Sequence, residues 1–260
     1  MRAKKSYGQH FLNNEHYAAQ IAGALSLTDQ YDHALEVGPG QGMLTKHLLE
    51  RQRDFELTVV EADPDMVLYI SNHFPILQNR IVALDFLKLR FDKIFTGQFG
   101  LVGNYPYNIS SQILIKMLDN YQLIPEMVGM FQKEVADRVL AGPGSKTYGV
   151  IGILVQVRYQ PFLCFNVGRG NFNPPPKVQS AVIRCVRRER PLVADEYYGQ
   201  FKRIVKAAFN LRRKMLRNSL KGVFPAEVLA AEEFFQRRPE QVSVAEFVDL
   251  THRLVGNNEG

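Results

Sequence analysis

The stretch His33-Ala34-Leu35-Glu36-Val37-Gly38-Pro39-Gly40-Gln41-Gly42 decides how this chain is read. A short apolar run, interrupted by Glu36, leads into three glycines at alternate positions. The run predicts a buried strand, and the glycines let the backbone turn tightly and approach a ligand without Cβ interference. A strand, a glycine turn and a helix starting near Met43 form the opening unit of a doubly wound α/β sheet. A loop built to cradle a pyrophosphate at a helix N-terminus follows the spacing GxGxxG. Here the spacing is GxGxG, and Glu36 stands two places before the first glycine.

Negative charge at Glu36 suits a ligand with a cationic amine and a sulfonium better than a pyrophosphate. The loop alone leaves open an S-adenosylmethionine-dependent methyltransferase and a nicotinamide-dependent oxidoreductase. Moving outward, Glu56–Asp63, Arg80–Phe86 and Phe99–Asn104 are further strand-like runs, separated by helical stretches near Met43–Arg51, Pro64–Phe74 and Ser110–Tyr121. That alternation predicts a mainly parallel sheet with helices on both faces, its ligands at the carboxyl ends of the strands. Glu61 ends the second strand, 19 residues past Gly42, where a carboxylate can accept both hydroxyls of a ribose. Either cofactor would use it so. Asp85 ends the third strand, where it can accept a hydrogen bond from a cofactor adenine amine, or cap the turn before Leu87. Three acidic strand ends in order on one sheet edge favour the adenosyl-sulfonium cofactor, bound through Glu36, Gly38, Gly40, Glu61 and Asp85.

The fourth strand runs into Asn104-Tyr105-Pro106-Tyr107. The exocyclic amine of adenine is a poor nucleophile because its lone pair is delocalised into the ring. A site improves it by accepting both amine hydrogens, here on the Asn104 side-chain oxygen and the Tyr105 carbonyl. Pro106 fixes the backbone so that this carbonyl points inward. Tyr107 offers a flat face for the base, worth roughly 1–3 kcal/mol per stacked base. Such chemistry rests on positioning and hydrogen bonding and calls for no metal. Asn-x-Pro-x is also an ordinary turn leaving a strand; its place after an acidic glycine loop is what favours function. Phe172, in Asn171-Phe172-Asn173-Pro174-Pro175-Pro176-Lys177, is a candidate second aromatic wall for a flipped base. It can equally be a loop aromatic folded onto the core.

Ile153–Val167 and Lys177–Val186 read as an antiparallel pair closing the sheet, their Gly/Asn/Pro-rich connection lying over the active face. After Arg190-Pro191 the pattern turns helical, with Phe201, Ile204, Val205 and Ala208 on one stripe. The expected division is a catalytic domain over residues 1–186 and a helical domain over 187–260. The chain carries 32 Lys and Arg against 26 Asp and Glu, net +6. Between Arg184 and Lys221 there are twelve Lys/Arg and three Asp/Glu, a local +9 that points to a polyanion partner or to a solvated basic surface. Cys164 and Cys185 lack metal-ligand spacing and read as buried thiols in a reducing compartment. No apolar run reaches membrane-spanning length, and the basic start carries no apolar h-region.

These blocks resemble the ribosomal RNA adenine dimethyltransferase family. The resemblance is carried by Lys5–Leu12 (KSYGQHFL), Glu36–Gly42, Glu61–Asp63, Asp85–Leu87, Asn104–Asn108, Gln132–Ala136, Pro143–Lys146, Pro176–Val178 and Leu211–Leu220, nearly the whole chain. It implies a Rossmann-like class I methyltransferase sheet with a small all-helical C-terminal domain. It also implies N6,N6-dimethylation of two adjacent adenosines in the 3′-terminal hairpin loop of 16S RNA. S-adenosylmethionine would be consumed and S-adenosylhomocysteine released. Cofactor contacts carry over to His10, Leu12, Gly38, Glu61, Asp85 and Asn104, and base walls to Tyr107 and Phe172. His10 and Leu12 rest on the resemblance alone. Position 10 is His where many members have Asn, and position 105 is Tyr where Leu is usual. RNA contacts are expected at Lys4, Lys5, Arg212, Arg213, Lys214, Arg217 and Lys221. A cytoplasmic monomer acting on a small-subunit precursor, with no obligatory protein partner, is the expected state. A large-subunit methyltransferase of the macrolide-resistance branch and an RNA-binding assembly factor without turnover stay open as alternatives.

Overall fold

The computed structural model describes residue 4 and residues 7–256. Lys5, one of the expected RNA contacts, lies outside the described residues. In chain order the elements are β1 (Phe11–Leu12), α1 (Glu15–Gly23), β2 (His33–Val37), α2 (Met43–Leu49), β3 (Glu56–Glu61), α3 (Pro64–His73), β4 (Ile81–Ala83), β5 (Phe99–Asn104), α4 (Ser110–Asp119), β6 (Glu126–Gln132), α5 (Lys133–Leu140) and α6 (Val150–Arg158). They continue with β7 (Tyr159–Val167), β8 (Phe172–Asn173), β9 (Ser180–Arg187), α7 (Tyr198–Asn210), α8 (Leu216–Ser219), α9 (Ala226–Ala231) and α10 (Val244–Gly256).

Seven strands form one sheet in the order β4-β3-β2-β5-β6-β9-β7. β2 pairs in parallel with both β3 and β5, β3 with β4, and β5 with β6. β9 runs antiparallel to β6, from Glu126↔Val186 to Gln132↔Ser180. Strand order reverses between β2 and β5, the switch point at which such sheets bind ligands. Helices cover both faces, so the central strands need apolar residues on both sides: Ala34, Leu35, Val59, Leu101, Val102, Val128 and Met130 are all buried. Of the two cysteines, Cys185 on β9 is buried as expected, whereas Cys164 is exposed, because β7 is the edge strand of the sheet.

Local chemistry explains the borders. Asp63 caps α3 by accepting from the Asp65 amide at 3.1 Å, and Pro64 occupies the first turn, where a missing N–H costs nothing. Gly38, Gly40 and Gly42 all have positive φ (69°, 53° and 79°), so the turn from β2 into α2 winds through backbone that L side chains avoid. At Gly42 a Cβ would also stand 2.3 Å from the Phe74 ring. β6 begins at Glu126, a fully buried carboxylate that accepts from the amides of Ser26 and Leu27, the Tyr31 hydroxyl and Arg184 Nε.

The chain divides into two compact units, Met1–Ala136 with Pro161–Arg187, and Asp137–Gln160 with Arg188–Gly260. The expected single boundary near residue 187 is therefore incomplete. The helical unit also takes residues 137–160, and Ile153–Val167 is not one strand but the end of α6 followed by β7. The run VIGILVQVR is apolar at nearly every position, and such a run cannot be assigned to strand or helix by periodicity. Gly152 lets α6 pack tightly: a Cβ there would meet the Arg138 carbonyl at 2.2 Å. Within this unit Phe201, Ile204, Val205 and Ala208 form the buried stripe of α7, and Phe247 and Leu250 that of α10.

Candidate active site

The carboxyl ends of β2, β3 and β5, with the turn after β4, open onto a cavity of about 530 Å³. Glu36, Gly38, Gly40, Glu61, Asp85, Asn104, Tyr105, Pro106 and Tyr107 all line it. Glu36 is 1% exposed and accepts from Thr45 Oγ1 at 2.7 Å; burial, with Glu61 nearby, pushes its carboxyl up to about 8. Burial also raises Glu61, although the amides of Asp63 (2.9 Å) and Gly40 (3.3 Å) donate to it. Two acidic side chains whose charge is opposed by burial make a cavity suited to a ligand that brings positive charge. Asp85 faces the same space and also caps the turn before Leu87, whose amide donates to it at 2.9 Å. Both readings of Asp85 are therefore compatible with its position.

An N-terminal segment forms another wall. His10 and Leu12 line the cavity, and the Phe11 ring lies 3.0 Å from where a Cβ on Gly40 would stand. The segment is held from both sides. β1 pairs antiparallel with β8, Leu12 opposite Phe172, and His10 Nδ1 lies 2.8 Å from the Pro174 carbonyl. Asn104 Nδ2 donates to the His10 carbonyl at 3.0 Å, which leaves Asn104 Oδ1 as the acceptor turned to other partners.

Three expectations need correction. Phe172 is 3% exposed, belongs to the core cluster around Leu12, Val128 and Met130, and does not line the cavity. Pairing through β8 turns it inward, so the aromatic beside Tyr107 is instead His10, with ring centroids 5.3 Å apart and planes tilted by 30°. Lys4 is not a free phosphate contact: its ammonium pairs with Asp63 at 2.6 Å and Asp65 at 2.7 Å. Arg212 is likewise engaged, donating to the carbonyls of Ser145 and Lys146. Arg213, Lys214, Arg217 and Lys221 are exposed and, among the described residues, in no ion pair.

Residue reasoning also misses two supports. Asp63 has no exposed side-chain surface and accepts from Lys4, Gln9 and the Asp65 amide; burial pushes its carboxyl up, but these donors outweigh it and hold it below its ordinary value. Lys116 on α4 donates to the carbonyls of Leu87 and Leu89 at 3.1 and 2.6 Å and stands over the rings of Phe86 and Phe91, bracing the loop that presents Asp85. Asp63-Pro64 is visible in the sequence as a helix start; the partners of Lys116, some 27 to 29 residues away, are not.

Tyr105 is 1% exposed, its ring packed on Phe131 and against Gly103 and Gly129, so its ring belongs to the core while the residue still contributes to the cavity wall. Tyr107 is fixed by its hydroxyl against Ser180 Oγ at 2.5 Å, and burial raises its phenol. A parallel sheet with its reversal between β2 and β5, acidic strand ends and an Asn-x-Pro-Tyr turn define a Rossmann-like class I methyltransferase.

Within that class the chain belongs to the ribosomal RNA adenine dimethylase family, whose model matches residues 1–254, and so is an enzyme of ribosomal RNA adenine methylation. It is 49% identical over 257 residues to the ribosomal RNA small subunit methyltransferase A of Phocaeicola vulgatus, covering 98% of this chain and 90% of the relative. It is 49% identical over 253 residues to that of Parabacteroides distasonis, covering 96% and 93%. Among solved structures, a dimethyladenosine transferase from Plasmodium falciparum superposes with a TM-score of 0.78 at 24% identity, over 96% of this chain and 98% of that one. The 23S rRNA methyltransferase ErmE does so with a TM-score of 0.69 at 25% identity, over 94% and 99%.

Proposed function

We propose that this enzyme uses S-adenosylmethionine to dimethylate the exocyclic amines of two adjacent adenosines in the 3′-terminal hairpin loop of 16S RNA, within a small-subunit precursor in the cytoplasm. The observation that carries the chemistry is the bond from Asn104 Nδ2 to the His10 carbonyl, which orients Oδ1 as an acceptor at the end of β5. The small-subunit assignment is supported by relatives of that name at 49% identity over nearly the whole chain, against 25% for the large-subunit enzyme.

The residues present fit the cofactor. The turn after β2 has no side chain at Gly38, Gly40 or Gly42, all of positive φ, and the buried carboxylates of Glu36 and Glu61 beside it are, among the described residues, in no ion pair. Glu61 would accept the ribose hydroxyls, Asp85 the adenine amine, and Glu36 would face the cationic end. S-adenosylmethionine supplies, when bound, an electrophilic methyl on a sulfonium. The protein's own residues do the rest. Asn104 Oδ1 and the Tyr105 carbonyl accept the two amine hydrogens, drawing the nitrogen toward tetrahedral geometry, and Tyr107 stacks on the base. Catalysis is then positioning and electrostatics.

Labelled methyl transfer to small subunits lacking this modification, with large subunits and naked 16S RNA as controls, tests the assignment. Label in small-subunit particles is the expected outcome. Label in large subunits alone moves the enzyme to the other branch, and cofactor binding without transfer to any RNA favours an assembly role.

A further inference from the structure

Methylating a neutral amine creates a proton that must go somewhere. The nitrogen lone pair forms the new N–C bond while the S–C bond breaks and its pair stays on sulfur as a thioether. The nitrogen is then cationic until one N–H bond breaks and leaves its pair on nitrogen. Two methylations of one adenine require this loss twice.

We propose that the imidazole of His10 is the acceptor, its Nε2 taking the proton that the target amine sheds. The proposal rests on the adenine-methylating reading above. Its basis is a tautomer argument. His10 Nδ1 lies 2.8 Å from the Pro174 carbonyl oxygen. A carbonyl can only accept, so Nδ1 carries the hydrogen, and in a neutral imidazole Nε2 then holds the lone pair. Among the described residues Nε2 makes no hydrogen bond. The ring lines the cavity, stands 5.3 Å from the Tyr107 ring, and hangs from a backbone carbonyl that Asn104 holds at 3.0 Å. His10 is thus tied to both residues that would hold the target base.

The other titratable groups of the cavity are less suited. Glu36, Glu61 and Asp85 accept from Thr45, from Gly40 and Asp63, and from Leu87, on the strand ends assigned to the cofactor. Tyr107 is bound to Ser180, and Tyr7 lies on the same segment as His10. Lys177 is the charged residue of the Pro-rich segment. The proton passes from the imidazolium to water, so no further reactant is needed.

Two measurements test this. In the cofactor-free protein with labelled imidazoles, long-range proton–nitrogen NMR reads the tautomer of His10 and its titration midpoint. In single turnovers at saturating cofactor, the rate is followed from about pH 5 to about pH 8, where an imidazole changes charge. The wild type is expected to show the Nδ1–H tautomer and a rate that falls on the acid side with the NMR midpoint. His10→Asn should unfold at the wild-type midpoint, which reports that it folds, and it is compared with the wild type at saturating cofactor. It should lose that acid limb and run about tenfold slower or more at neutral pH. An Nε2–H tautomer, or an unchanged limb in His10→Asn, overturns the proposal and leaves the functional reading intact, the limb then belonging to a group such as Glu36. A wild type that methylates no adenine overturns both.

Discussion

Lys4 Nζ lies 2.6 Å from Asp63 Oδ1 and so ties the N-terminal segment to the turn that carries Glu61. Gln9 Nε2 holds the other oxygen of the same carboxylate at 2.9 Å. The wall formed by His10, Phe11 and Leu12 is therefore latched to the strand end assigned to the cofactor ribose. Asp63→Ala removes the latch and the cap of α3 together, and cap loss alone costs about 0.5–2 kcal/mol. The expected result is a higher KM for S-adenosylmethionine with a smaller change in kcat. Lys4→Met should weaken cofactor binding, read by calorimetry, more than RNA binding; the reverse order would return Lys4 to the RNA surface.

Glu36 predicts a pH dependence of definite sign. Its folded-state value, about 8, lies above that of an unfolded glutamate, about 4.3. The folded protein thus holds this proton more tightly, and the stabilisation it brings is complete below the unfolded value and lost as pH rises through the folded one. Cofactor-free Glu36→Gln should therefore become more stable relative to wild type as pH increases across that window, as read from denaturant midpoints. Cofactor positive charge near Glu36 should also release a proton on binding, seen as a buffer-dependent binding enthalpy near neutral pH. A pH-independent difference between the two proteins would contradict the buried, proton-holding Glu36.

Tyr105 occupies a space made for it by two glycines. A Cβ on Gly129 would stand 1.9 Å from the ring, and one on Gly103 2.9 Å. Gly129→Ala should destabilise the protein by about 1–3 kcal/mol through overpacking, and Tyr105→Leu should restore most of the deficit. The Tyr105 hydroxyl is buried without a hydrogen-bond partner among the described residues. Tyr105→Phe is expected to keep full activity and equal or greater thermal stability. Loss of turnover in Tyr105→Phe would show that the side chain, not the backbone, serves the reaction.

Of the RNA contacts expected in the helical unit, Arg213, Lys214, Arg217 and Lys221 are exposed and, among the described residues, in no ion pair. Charge reversal at Arg213 and Arg217 should weaken RNA binding and reduce the salt slope, by about 0.7–0.9 for each phosphate no longer neutralised. Cofactor affinity should not change. An unaltered slope would place the RNA-binding surface elsewhere.

Much of this site is legible in the sequence because it lies at strand ends. Glu36, Glu61, Asp85 and Asn104 each belong to an apolar run that a buried strand explains, and the sheet brings those ends together without further information. Sequence does not supply contacts across long separations. Phe172 reads either as a base wall or as a loop aromatic folded onto the core, and only its pairing with Leu12, 160 residues away, decides for the core. Lys4 reads as a phosphate ligand because charge patterning cannot see that Asp63 is buried beside it. The second half of α6 reads as strand because a segment buried all round loses the polar face that marks a helix. β6 escapes sequence reading, its EMVGMFQ run beginning on a buried Glu126 whose partners lie at Ser26, Leu27, Tyr31 and Arg184.

The central claim is that Asn104 presents an adenine amine for methylation. Nucleoside analysis of 16S RNA, after reaction of unmethylated small subunits with wild type and with Asn104→Ala, tests it most directly. The account predicts dimethyladenosine at two adjacent positions with the wild type, and unmodified adenosine with a variant that still binds cofactor. Dimethyladenosine from the variant at the wild-type rate, or methyl label in a nucleoside other than adenosine, would contradict it.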